Sequence, residues 1–323
     1  MVPHWGDITV CVQLAARSAV LDGCRGKPPA IAVGAGRRTL PYEVPLLVSV
    51  ELDDCRVTVD EVHAELPEED IAAKWLEIAP GIDKMATRIQ DPGDFPVSRG
   101  SSLSGDDTHS APYCVSHAVR SCLVSGVDHL HAAKCLVLDL QVLHASAVYS
   151  LIRGSLENLA AAYWMLHPTR RNDRIERTLR WHAKNFKDQA SALQPLGLAD
   201  ESTREAKLSR LDAIAVQRGI AVSDVRSGYF SSTAVRYVDK HSPVSAPLLP
   251  WQVCSGFAHG RPWAVLGMSE QEQYESADPT VVNLRLTSDL SRVLYPTLSA
   301  FRLMVEVVGL LQQRSSPAIE TQR

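Results

Sequence analysis

The chain has 323 residues, of which 45% are hydrophobic, 22% charged and 6% aromatic, with a formal net charge of −4. This composition excludes a collagen-like, a wholly disordered and a disulfide-stapled protein. No run approaches the roughly 18 uncharged apolar residues that a membrane-spanning helix needs, and the N-terminus lacks the features of a secretory signal. Seven cysteines without a CxxC pair indicate reduced thiols. We therefore expect a cytoplasmic protein that does not enter a membrane.

Residues 1–90 show the period of two that is typical of half-buried strands. Apolar residues alternate over 8–14 and again over 44–52, where Asp53-Asp54 then predicts the turn of a hairpin. Acidic residues favour the start of a short helix over Pro67–Trp75. The first unit is therefore predicted to be a small antiparallel β-sheet with a short helix.

Residues 91–112 separate this unit from the rest of the chain. They include three prolines, three glycines and five serines without apolar periodicity, and this predicts a flexible linker. The charge balance changes sign here, because 10 basic and 18 acidic residues precede Pro112, whereas 23 basic and 19 acidic residues lie from that point onwards. Two structural units joined by a linker are expected.

From residue 113 onwards the apolar period changes to 3.6, which is typical of amphipathic helices. Five or six helices with short connections predict a mainly α bundle over 113–313, followed by a disordered tail at 314–323. The predicted helices span residues 119–140, 144–166, 170–193, 200–218, 250–259 and 287–313. A short strand pair is expected between Leu266 and Leu286. The predicted fold class is α+β by domain.

The helix at 144–166 is apolar nearly all round, yet it carries Arg153 and Glu157 one turn apart. Charges buried among apolar residues cost several kcal/mol each unless they are paired. One interpretation is a structural salt bridge inside the bundle. The other is a functional arginine, held by Glu157 so that its guanidinium faces an anion.

The segment WQVCSGFAHGRPW at 251–263 contains the second candidate site. Ser255 and His259 lie one turn apart, and Gly260 ends the helix directly after the histidine, where the helix dipole attracts positive charge. Arg261 comes next in the chain. This arrangement predicts a phosphate-binding point at Arg261 and Ser255, with His259 as an acid or base. The alternative is a histidine that only caps its own helix.

The helix at 170–193 is strongly basic, and it could present a face to nucleic acid. The ordinary alternative is a solvated helix surface. The candidate face residues are Arg170, Arg171, Arg174, Arg177, Arg180 and His182.

A metal site or cofactor is not expected. Asp128, His131, Cys135 and Asp139 share one side of a helix, but nothing elsewhere completes a ligand shell around them. The sequence also contains no glycine-rich phosphate loop, no G-x-S-x-G and no H-E-x-x-H.

The order of the helices, with RGSLENLAAAYWML at 153–166 and WQVCSGFAHGRPW at 251–263, resembles HEPN-type helical domains. The resemblance covers about residues 112–313. It implies a relationship to metal-independent ribonucleases that carry an arginine followed after four to six residues by a histidine. Three pairs have this spacing: Arg56 with His63, Arg177 with His182, and Arg236 with His241. With 25 arginines and 11 histidines, chance alone produces roughly as many matches.

Two functions are therefore expected as alternatives. The first is a non-catalytic interaction module, or one that binds a nucleotide or RNA, with a protein partner on the N-terminal unit and a homodimer left open. The second is a metal-independent endoribonuclease with His259 as acid or base, Arg153 and Arg261 on the phosphate, and Glu157 orienting Arg153.

Overall fold

The computed structural model describes residues 12–13, 42–44, 46–51 and 67–317, with side chains from residue 67 onwards. The described part is mainly helical. Its helices are α1 (Glu68–Arg88), α2 (Ser102–Ser110), α3 (Val115–Lys134), α4 (Ala147–Leu166), α5 (Arg171–Leu193), α6 (Glu201–Arg218), α7 (Val222–Ser227), α8 (Ser231–His241), α9 (Leu248–Ala258), α10 (Pro262–Met268) and α11 (Leu290–Ser315). Its strands are β1 (Val12–Gln13), β2 (Tyr42–Val44), β3 (Leu46–Glu51), β4 (Val142–His144), β5 (Glu270–Tyr274) and β6 (Val281–Thr287).

Helix α4 forms the centre of the helical assembly. It packs against α3, α8, α9 and α11, and every residue from Leu159 to Leu166 is buried. The approach of α3 is close, since a Cβ added to Gly126 would lie 2.7 Å from the Leu159 side chain. A helix that is apolar on every side is stable in water only when neighbours cover all of it.

The larger sheet joins strands from both ends of the chain. Its order is β1-β3-β6-β5, and all three pairs are antiparallel, with Val48 of β3 opposite Leu284 of β6. Strands β2 and β4 form a separate parallel pair. The strand pair expected between Leu266 and Leu286 is confirmed as β5 and β6. The hairpin predicted at Asp53-Asp54 lies outside the described residues.

Helix α1 corrects the predicted short helix of the N-terminal unit. It has 21 residues and packs against α3 and α11. Trp75 and Ile82 are buried in the common core, and the Trp75 indole donates a hydrogen bond to the Leu290 carbonyl at 3.2 Å. Residues 68–88 therefore belong to the helical assembly.

Residues 91–112 are folded, so the prediction of a flexible linker is wrong for this segment. Ser101 caps α2 by accepting a hydrogen bond from the Ser104 amide. Asp106 is fully buried and accepts two hydrogen bonds from Arg174, at 2.6 and 2.8 Å. The prediction failed because this polar helix is held in place by a buried ion pair, which composition alone does not reveal.

The C-terminal helix also runs further than predicted. Arg314 and Ser315 lie in α11, so the predicted tail does not begin at residue 314, and residues 318–323 are outside the described part. Among the described helices, only α11 is long and apolar enough to cross a membrane, and 56% of that apolar window is buried inside the assembly.

We expect Asp106→Ala to lower the free energy of unfolding by about 3–5 kcal/mol, because it leaves the Arg174 guanidinium buried without its carboxylate. Urea unfolding followed by circular dichroism measures the change. Arg171→Ala is the matched control: Arg171 contacts the same carboxylate from a side chain that is 41% exposed, and its loss should cost less than about 1 kcal/mol. Equally small losses for both variants would contradict the anchoring role of Asp106.

Candidate functional site

The site is built where α9 lies against α4. The rings of Tyr149 and Phe257 stack with centroids 3.9 Å apart and planes 4° from parallel. The Ser146 hydroxyl donates a hydrogen bond to the Phe257 carbonyl at 3.1 Å. Because Tyr149, Arg153 and Glu157 lie at successive four-residue steps, the stack turns both charged residues towards α9.

Arg153 joins Glu157 and His259. Its Nε donates to Glu157 Oε1 at 3.0 Å, and its Nη1 lies 3.2 Å from His259 Nε2. The same Glu157 oxygen accepts a hydrogen bond from Trp251 Nε1 at 2.9 Å. Arg153 and His259 are therefore in contact, although they lie 106 positions apart in the chain.

The Arg153–Glu157 pair is less deeply buried than the sequence predicts. The two side chains are 27% and 23% exposed, because α9 covers them only in part. The pair therefore lies at the boundary between the core and solvent. A charge in this position can meet a ligand, whereas a fully enclosed one cannot.

A cavity of about 350 Å³ opens beside this cluster, in the corner between α9 and α10. Its lining residues are Trp251, Gln252, Ser255, Gly256, His259, Arg261 and Trp263. Arg261 is exposed there, and its guanidinium makes no hydrogen bond or ion pair with any described residue. Ser255 lines the cavity, but its hydroxyl makes no hydrogen bond to the His259 ring, and only its carbonyl accepts the His259 amide.

The Arg153 contact assigns a role to His259 Nε2. A guanidinium only donates hydrogen bonds, so Nε2 must be the acceptor in this contact. Such a nitrogen carries a lone pair and can take up a proton. An incoming oxyanion would compete for the same Arg153 donor, because charge-assisted bonds to an anion are stronger than those to a neutral ring.

The basic helix α5 does not present the predicted nucleic-acid face. Arg174 is buried and bonds Asp106 together with the carbonyls of Pro168 and Thr169. Arg177 donates to the Trp164 carbonyl, and Arg180 donates to the Gly228 carbonyl. Their guanidinium groups serve the fold. Only Arg170 and Arg171 of the predicted face are exposed.

His182 is also unavailable to a ligand. Its ring lies among Tyr113, Trp181 and Phe186, and its Nε2 is buried without a hydrogen-bond partner among the described residues. Burial lowers the pKa of His182 to about 4. Because Arg177 faces Trp164 and Tyr237 instead, the Arg177–His182 pair has no common site.

The other two arginine–histidine pairs give no site within the described residues. Arg56 and His63 lie outside them. His241 bonds the Tyr237 carbonyl and stacks on the Tyr237 ring. Arg236 is exposed, and within the described part of the chain it makes no hydrogen bond to His241 and shares no partner with it.

A second cluster of histidine and tyrosine, which no sequence pattern indicated, lies where α4 and α8 end. His167 Nδ1 is 2.9 Å from the Tyr237 hydroxyl, and Tyr163 stacks on the His167 ring. Burial, followed by the nearby His241 and Arg177, lowers the pKa of His167. Because these rings stack on one another, we interpret the cluster as packing between the two helix ends.

Of the residues that share one side of α3 and the turn after it, His131, Cys135 and Asp139 contact neighbouring side chains, and Asp128 is exposed. Asp139 accepts from Lys134 at 3.0 Å, and His131 lies between Asp83 (3.4 Å) and the Cys135 thiol (3.5 Å). Burial raises the pKa of the Cys135 thiol, which disfavours the thiolate that a nucleophile or metal ligand needs.

Comparison with protein-family models, with curated proteins and with solved structures gave no significant match for this chain. A function for the chain therefore rests on the geometry of the site.

Because the ion pair is part-exposed, we expect Glu157→Ala to lower the free energy of unfolding by only about 1–2 kcal/mol, through loss of the bonds to Arg153 and Trp251. Glu157→Gln should lose less, since an amide oxygen can still accept from the indole. Urea unfolding of both variants measures this. A loss above about 3 kcal/mol for Glu157→Ala would mean that the pair behaves as a fully buried one.

His182 makes stability depend on pH. Its pKa is about 4 in the folded chain against 6.5 for a free histidine, so the unfolded chain binds more protons between these values. The free energy of unfolding should therefore fall as the pH falls from about 6.5 to about 4. His182→Phe should flatten this part of the profile, as measured by urea unfolding at several pH values. His117→Gln, at an exposed position of α3, is the control and should leave the profile unchanged. An unchanged profile in His182→Phe would contradict the assignment.

Proposed function

We propose that this chain is a HEPN-like helical module that binds a phosphate-bearing ligand, a nucleotide or RNA, at Arg153, His259 and Arg261. The observation that carries the proposal is the contact between Arg153 Nη1 and His259 Nε2, beside an open cavity that His259 lines. Two helices distant in sequence deliver these groups to one part-exposed point. A purely structural salt bridge would need only the contact between Arg153 and Glu157, without His259.

The charge balance around the cavity favours an anion. Glu157 neutralises one positive charge, which leaves Arg261 as an unpaired guanidinium at the cavity edge within the described residues. Arginine matches a phosphate because its planar donors can form two parallel hydrogen bonds. Arg153 is already oriented by Glu157, so binding loses less side-chain entropy at this group.

A metal-independent endoribonuclease is the second candidate, and the position of His259 Nε2 as an acceptor beside Arg153 favours it. In this reaction the 2′-hydroxyl proton passes to Nε2, the 2′-oxygen forms a bond to phosphorus, and the bond from phosphorus to the 5′-oxygen breaks. The imidazolium then returns the proton to the 5′-oxygen. Arg153 and Arg261 would stabilise the charge on the phosphate.

The binding proposal is tested by thermal unfolding with and without ligand. Inorganic phosphate and a short single-stranded RNA should each raise the Tm of the wild-type chain by a few degrees when present well above their Kd. Arg153→Ala and His259→Ala should show smaller rises, each measured against its own ligand-free Tm. Arg302→Ala, on the exposed side of α11, is the control and should respond like wild type.

Equal ligand-induced shifts in wild type, Arg153→Ala and His259→Ala would overturn the proposed site. Incubation with RNA in EDTA separates binding from cleavage: a ribonuclease leaves a cyclic 2′,3′-phosphate end, and His259→Ala should lose it. RNA that stays intact while the Tm rises supports the binding module alone.

A further inference from the structure

We infer that the cavity between α9 and α10 is a nucleobase pocket, so that the ligand of this site is a nucleoside phosphate whose base stacks on Trp263. The inference rests on the proposed function and adds to it the part of the ligand that is not phosphate. It depends on the aromatic and uncharged polar residues that line the cavity beside His259 and Arg261.

Two tryptophans form walls of the cavity. Trp263 is 52% exposed, whereas the other tryptophans of the described part are buried or half-buried. A large apolar ring at an open cavity gains free energy when another flat ring covers it. Stacking on an aromatic side chain suits every nucleobase, because each has a π-face.

Trp251 is the fixed wall. Its indole N–H is held by Glu157 Oε1, the same oxygen that holds Arg153 Nε. One carboxylate oxygen therefore orients both an aromatic wall of the pocket and a cation beside it. This coupling places base recognition and phosphate recognition within one ligand, since a nucleotide carries the two groups a few ångströms apart.

Gly256 of α9 lets α10 approach closely enough to form the pocket. A Cβ at this position would lie 2.3 Å from the Ala264 Cβ and 3.1 Å from the Trp263 ring. The absence of a side chain at Gly256 thus lets the Trp263 indole pack closely against α9, while the Trp263 side chain stays 52% exposed. The turn between the helices is held by the Arg261 amide, which donates to the Gly256 carbonyl at 2.8 Å, with Gly260 at φ +59°.

The polar groups of the cavity suit a base edge. Gln252 is exposed at the lining, and its side-chain amide offers both donors and an acceptor. The Ser255 hydroxyl makes no hydrogen bond to another described residue and offers a further donor or acceptor. A volume of about 350 Å³ lies at the small end of the range for ligand pockets, which favours one nucleotide over an extended chain inside it.

Titration calorimetry of the full chain tests the inference with three probes: AMP, ribose 5-phosphate and inorganic phosphate. AMP should bind at least about tenfold more tightly than ribose 5-phosphate, which carries the same phosphate and sugar without a base. Trp263→Leu should lower the affinity for AMP to that for ribose 5-phosphate and leave the affinity for ribose 5-phosphate unchanged. Trp263→Phe should recover part of the difference. AMP should also quench the tryptophan fluorescence of wild type more than that of Trp263→Leu.

A fourth arm distinguishes a free nucleotide from RNA. If a trinucleotide RNA binds more tightly than AMP and also loses affinity in Trp263→Leu, the base belongs to an RNA chain; if AMP binds as well as the trinucleotide, a free nucleotide suffices. Both results support the pocket.

The failures are separable. Equal affinity of AMP and ribose 5-phosphate in wild type overturns the base pocket and leaves the phosphate site standing. Absence of binding by all probes overturns the proposed function and the pocket together. A Trp263→Leu variant that changes the oligomeric state in size-exclusion chromatography, with AMP affinity unchanged, would overturn the pocket and show that Trp263 serves a contact between copies of the chain.

Discussion

The structure depends on covering α4, whose C-terminal part, residues 159–166, is buried on every side. The burial of the apolar side chains of α4 fixes α3, α8, α9 and α11 around it. Close packing requires small residues at the tightest approach, and Gly126 supplies one against Leu159. The functional cluster is a consequence of this arrangement, because the contact that buries Tyr149 on Phe257 also brings α9 to Arg153.

Covering α4 creates a second requirement at its C-terminal end. The carbonyls of the last turn have no partner within the helix, and they need donors when the helix is surrounded by protein. Arginines from two helices meet this need: Arg177 bonds the Trp164 carbonyl, Arg314 bonds Leu166 and the two carbonyls beyond it, and Arg174 bonds Pro168 and Thr169. Positive charge at a helix C-terminus is also favoured by the dipole. Much of the positive charge of α5 thus stabilises the fold, and the buried Asp106 balances part of it.

The same residue type serves a different purpose at the candidate site because its surroundings differ. Arg174 is enclosed by a carboxylate and carbonyls that leave no donor for a ligand. Arg153 has one carboxylate, on Nε, while Nη1 meets only the imidazole of His259. The described residues take up none of its other donors, and its partner His259 lines a cavity at which a second cation, Arg261, is exposed. Exposure and unused donors, more than the number of basic residues, distinguish a ligand-facing arginine from a structural one.

The helices from α3 to α6, together with α9 and α11, can be predicted from the sequence alone, since each has an apolar stripe of period 3.6 and several have an end marked by proline or glycine. Gly219, for example, adopts φ +66° just after α6. The sequence alone also singled out Arg153, His259 and Arg261 as polar residues in unusual positions. Helix α2, by contrast, has a polar sequence, and it is held by a buried ion pair to a helix that begins 61 residues beyond its own end. The arginines of α5 were predicted to form an exposed face because their partners also lie far away in the sequence.

Whether a charge faces solvent, a carbonyl or another charge depends on which helices are neighbours, and that is decided by packing between segments distant in the chain. Local periodicity records only which residues share a face, so the partners of Asp106, Arg174 and Trp251 were set by the tertiary structure.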